Sequence, residues 1–280
     1  MKRSPLLLCA VLVAACASQP SDTPKPISPS TLGKSPIRSL VNPNLPGHAA
    51  LVNNIVSITG TAVVAVDNFD ETEDGKARGN IYVQDHGSLE PYSGIALYSP
   101  SFSPADLKPV PGDVLDWSGV YREADGIGSS KFRMEGNVQP LMIQLEKPTG
   151  KPRFDGSPVA PREIPVTDLF TYASARPWLG MLVTVKNVVV ASAPTNATGR
   201  QQAKLYPIGD GEGAGATLAN ELMPLDLNIV KKQTTFESVT GVVIYAFGVH
   251  LSPRSPEDFQ GAVVAPSSAD AGTAPPDGGN

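Results

Sequence analysis

The chain has 280 residues, 41% hydrophobic and 18% charged, with 22 basic side chains against 27 acidic and a formal net charge of −5. That balance is globular, leaves room for two modest domains, and argues against a polybasic nucleic-acid binder. Cys9 and Cys16 are the only cysteines, too few for a disulfide framework.

Lys2 and Arg3 open the chain, and the apolar run Leu6–Leu12 leads into Val13-Ala14-Ala15-Cys16. The run is far shorter than the ~20 residues a helix needs to span a bilayer, and its basic–apolar–small order is that of an export signal. Small residues running into a cysteine resemble the lipobox of bacterial lipoproteins. The resemblance implies that residues 1–15 are a removed signal peptide. Cys16 then begins the mature chain and carries acyl groups, palmitate among them, which together anchor stably where one chain binds only marginally. Ala17, in place of Asp, implies the outer membrane under the Gram-negative sorting rule, with either face open. Loss of Lys2 and Arg3 takes 22 basic residues to 20 against 27 acidic, a net charge of −7. Nucleic acid is therefore an unfavourable partner. The membrane through its lipid, another envelope protein, or a polysaccharide are the expected ones.

Residues 16–44 read as a Ser/Pro-rich tether and 262–280 as a disordered tail. Between them the chain is strand-like. Ile55–Val66 is a β-branched run with Gly60 inside it, the mark of a bulge or sharp bend. Asn80–Gln84 and Gly94–Tyr98 follow. Pro111-Gly112-Asp113 then turns into Val114–Tyr121, and Lys131–Met134 and Leu141–Leu145 close the set. Short strands punctuated by Gly and Pro predict a small barrel or sandwich over 45–146. Residues 147–164 hold four prolines and few apolar residues, so 147–165 read as a linker. A second unit covers 166–261. It opens on a helical turn at Pro165–Leu169 capped by Thr167, and continues through Met181–Val190.

The two units align. An offset of 125 sets Ile58-Thr59 on Val183-Thr184, Val63-Val64 on Val188-Val189 and Asp85 on Asp210; an offset of 122 sets Ser118-Gly119-Val120 on Thr240-Gly241-Val242. Spacing this long implies tandem domains and not a solenoid. The matching residues Gly79–Asp85, Gly94–Tyr98 and Pro111–Gly119 resemble the OB-fold-like domains that accompany exported bacterial nucleases. The second half matches through Trp178–Val183, Val239–Val243 and Leu251–Asp258. The resemblance implies an all-β chain of two tandem five-stranded OB-like barrels with short helical turns. Its motifs are turn and core residues, so they carry fold and not chemistry, and no nuclease domain is expected within these residues.

Five carboxylates crowd Asp67–Asp74: Asp67, Asp70, Glu71, Glu73 and Asp74. Hard oxygen ligands at this density make the loop a candidate for Ca²⁺ as a cofactor. Against it, an EF-hand reading from Asp70 puts Ile81 where the bidentate Glu belongs, and Lys76 and Arg78 stand close. The plainer reading is a solvated acidic loop. Gly211–Ala216 fits G-x-G-x-x-A but lacks a βαβ setting and reads as a loop entering a helix at Thr217–Leu222. His48, His86 and His250 have no metal-ligand spacing and read as surface or turn residues. Tyr82, Tyr92 and Tyr98 are candidates for a stacking surface. Tyr82 lies between Ile81 and Val83, which alternation places on the opposite face, outside a barrel; Trp117 shares a phase with Leu115 and reads as core. No catalytic motif appears. The expectation is a non-enzymatic binding or assembly role, with a polysaccharide- or nucleic-acid-binding module beside a partner enzyme, or an unrecognised hydrolase, as alternatives.

Cys16→Ala tests the lipobox. The variant, like wild type under a globomycin-type inhibitor, is expected to accumulate as uncleaved precursor on gels; normal processing and membrane retention would sink the assignment.

Overall fold

A computed structural model describes residues 35–264 except 128–129, 198 and 210–214. Cys16, Ala17, the tether before residue 35, Asp210, most of the glycine loop and the tail from 265 lie outside the described residues.

The first unit places β1 (Ile55–Val66), β2 (Ile81–Asp85), β3 (Gly94–Tyr98), β4 (Asp113–Ala124) and β5 (Met142–Asp155) in a ring. β1, β2 and β3 pair antiparallel in turn, β3 pairs parallel with β5, and β5 returns through β4 to β1. The second unit repeats this order with β6 (Leu182–Val190), β7 (Arg200–Pro207), β8 (Ala216–Ala219), β9 (Thr235–Tyr245) and β10 (Val249–Ser252), again with one parallel pair, β8 with β10. These are two OB-like barrels in tandem. Gly60 has φ +67°, and the β1–β4 register shifts between Ile58 and Thr61 beside it, so the predicted bulge is where β1 turns the barrel corner. Trp117 is buried in the core.

Four boundaries differ from the sequence reading. Residues 147–155 are not linker: β5 runs through them against β4, with Gly150 packed on the Trp117 ring. The prolines that suggested a linker sit beside irregularities, Pro148 within the shift between Ser118 and Val120 and Pro152 next to that between Val114 and Leu115, where the ladder does not need their missing N–H. The connector shortens to 156–161, because Arg162–Glu163 already pairs with β6. Residues 35–44 are not free tether. Pro36–Val41 forms a helix, α1, whose Ile37, Leu40 and Val41 enter the core. Asp85 at the end of β2 supplies the cap that Ser35 does not, accepting from the backbone N–H groups of Ile37 and Arg38. Thr217–Leu222 is no helix, since its first half is β8. The turn at Val166–Leu169 is 3₁₀ without a side-chain cap; the capping threonine is Thr171, at the helix Tyr172–Ala175.

The barrels share a core. Alternation in β1 breaks down after Gly60, where Thr61 to Ala65 are all buried. One face fills the barrel. The other, with Val64, Ala65 and Tyr82, packs on Leu182, Leu222, Val242 and Ile244 of the second barrel. Backbone closely approaches backbone here: a Cβ on Gly94 would lie 2.5 Å from the Gly180 carbonyl carbon, and one on Gly180, at φ +75°, 2.5 Å from the Ile95 nitrogen. Around it the Leu182 N–H donates to Gln84 Oε1, and the Tyr92 N–H to the Pro177 carbonyl.

Gly180→Ala is expected to lower unfolding stability by about 2–4 kcal/mol, because it adds a clash to a left-handed backbone. Gly136→Ala, also at positive φ but with no atom within 4 Å, should cost only about 1 kcal/mol. Urea midpoints of the two variants measure the difference.

Candidate functional site

The acidic loop does not gather its carboxylates. Asp67 and Glu71 turn inward and are buried. Asp70 accepts from the Asp74 and Gly75 backbone N–H groups, which outweigh desolvation and hold its carboxyl below the usual range. Glu73 and Asp74 are exposed. Among the described residues no group of three metal-capable side chains converges. The reason is Arg78, which occupies the position a cation would take: its guanidinium lies 2.5 Å from Glu71 and 3.4 Å from Glu221 of the second barrel.

A buried polar node thus crosses the seam. Glu221 Oε1 meets His250 Nδ1 at 2.8 Å. Burial pushes the Glu221 carboxyl up, but the His250 hydrogen bond and the charges of His250 and Arg78 bring it below its ordinary value. Asp67 goes the other way. Burial and the neighbouring Glu71 outweigh Arg78 and push it up to about 7. A second node joins α1, the first barrel and the segment entering the second. Glu123 Oε1 accepts from the Tyr121 hydroxyl at 2.7 Å and Arg176 Nη2 at 2.9 Å, and meets His48 Nε2 at 3.0 Å. Arg176 Nη2 also donates to the Val41 carbonyl. His48 and His250 are therefore buried and partnered, not surface residues. Neither is hydrogen-bonded to a serine or threonine hydroxyl among the described residues. Their partners lie 75 and 29 residues away, separations that leave no local motif.

Beside the first node a cleft of about 260 Å³ opens between the barrels. Its floor is Ala96, Gly180, Val243 and Ile244; Arg78, Asn80, Gln144 and Arg200 supply polar groups; Tyr98 and Phe247 stand at the rim. The three candidate tyrosines separate. Tyr82 does lie outside its own barrel but is only 4% exposed, because the second barrel covers it. There burial raises its phenol beyond the ordinary range. Tyr98, 47% exposed, shares the cleft with it. Tyr92 is elsewhere, under the Arg176 guanidinium at 5.8 Å. Arg200, Asn80, Gln144 and Phe247 were not singled out by sequence. Phe247 gives a faint signal there, an aromatic at the Ala246–Gly248 turn where a polar residue is usual.

No family model, no curated protein and no solved structure matches the chain.

Folded Asp67 keeps its proton to about pH 7, while the unfolded residue releases it near 3.8. The native state thus binds the extra proton between these values, and stability falls as pH rises across that window. Asp67→Asn should remove the penalty, raising stability at pH 8 by about 1–2 kcal/mol after allowance for solvent screening and by little near pH 4.5. Urea unfolding at the two pH values measures it.

Proposed function

We propose that this is a lipid-anchored envelope protein with a non-catalytic binding or assembly role, performed by the two barrels acting as one body. One observation carries the reading. The buried groups best suited to acid–base chemistry, Glu123 with His48 and Glu221 with His250, are tied into nodes that join the barrels. The open cleft instead presents aromatic rims and amide groups, the equipment of recognition. The lipobox at Val13–Cys16 supports the anchor, and Ala17 supports the outer membrane. Among the described residues no helix is long and apolar enough to cross a membrane.

The test uses mature protein extracted in detergent from the membrane fraction. Incubated with ester, amide, glycoside and phosphate substrates, it is expected to give no turnover above buffer. Turnover abolished by Glu221→Gln or Glu123→Gln in a variant that still folds would overturn the reading in favour of a hydrolase.

A further inference from the structure

We infer that the inter-barrel cleft holds one acidic sugar residue, a hexuronate at the end of a glycan; this deepens the binding reading above and rests on it. The cleft's 260 Å³ falls below the roughly 300–1,000 Å³ of sites for drug-sized ligands, so it suits one ring. Among the described residues the exposed large aromatics are Tyr98 and Phe247, at 47% and 61%, and both stand on this cleft. Exposed aromatic faces at a concave site offer a surface for the C–H face of a pyranose. At the polar end, Asn80 hydrogen-bonds the Tyr82 phenol, yet its carbonyl oxygen is buried and has no partner. The Asn80 and Gln144 amides line this end of the cleft, and amide groups are suited to ligand hydroxyls.

The charge of the ligand follows from the two arginines. Arg78 is neutralised by Glu71 and Glu221. Arg200 is exposed; its charge helps to lower the Glu221 carboxyl, but among the described residues it makes no ion pair. Its fork of N–H donors matches a carboxylate in bidentate geometry. The ligand therefore needs an apolar ring face, hydroxyl donors and one carboxylate. A hexuronate has all three and a neutral hexose lacks the last. The acidic groups behind Arg78, and the −7 charge of the mature chain, disfavour a long polyanion and confine recognition to a terminal residue.

The experiment titrates methyl glucuronide and methyl glucoside into the detergent-extracted mature protein, followed by calorimetry and saturation-transfer NMR. Methyl glucuronide is expected to bind at least tenfold more tightly. Arg200→Met should erase that preference while leaving the unfolding midpoint unchanged, and Phe247→Ala, with Tyr98→Ala as the second rim variant, should weaken both ligands by about tenfold. Equal binding of the two sugars, or a preference that survives Arg200→Met, overturns the acidic-sugar assignment but leaves the non-catalytic reading standing. Binding of neither, or indifference to both rim variants, overturns the cleft as a sugar site. Turnover of methyl glucuronide, by contrast, overturns the non-catalytic reading itself.

Discussion

The close passage of the backbone at Gly94 past the backbone at Gly180 sets the geometry of the whole molecule. Nothing larger than hydrogen fits at either position. Once the two chains lie that close, the outer face of β1 and β2 must meet β6 and β9, and Val64, Ala65 and Tyr82 close on Leu182, Val242 and Ile244. Apolar contact of this extent contributes on the order of 10 kcal/mol before the entropy of fixing the barrels is subtracted. Each hydrogen bond across the seam adds only about 1 kcal/mol net. Apolar burial therefore holds the barrels together, and the polar contacts choose their orientation.

That division explains the two charged nodes. A buried ion pair is a poor source of stability, but removing one partner leaves a stranded charge and costs several kcal/mol. Glu221 with Arg78, and Glu123 with Arg176, join the first barrel to the second or to its lead-in. Arg254 works the same way: it forks onto Asp258 and reaches the Val64 carbonyl of the first barrel. A barrel pair turned by even a few ångströms would strand these groups. Asp67 is the exception, a carboxyl that gains no cation of its own and responds by holding its proton.

Much of each barrel was legible in the sequence because barrel-forming signals are local. β-branched runs, the Gly60 bulge, the Pro111–Asp113 turn and the phase of Trp117 act within a few residues of themselves. What the sequence hid depends on the partner barrel. Tyr82 was placed on the outer face correctly, yet no pattern within β2 says that another barrel covers that face. The prolines of 147–155 looked like linker because their tolerance comes from bulges opposite β4, a tertiary fact. α1 looked like tether because its cap, Asp85, lies about 48 residues downstream. The cleft was half visible: Tyr82 and Tyr98 were singled out, while Arg200 and Phe247 come from the other barrel and meet them only when the seam closes.

On the binding reading proposed above, the same closure decides where recognition can occur. An OB-like barrel ordinarily offers its second and third strands, with the loops beside them, to a ligand. Here much of that face in the first barrel, Tyr82 and Ala96 included, packs against the second. The long groove that would track a nucleic-acid strand is therefore reduced to a short cleft walled by both barrels, floored by apolar side chains and flanked by Arg200, which makes no ion pair among the described residues. On that reading, fusion of the barrels narrows the site from a track to a socket, which suits the end of a chain and not its length.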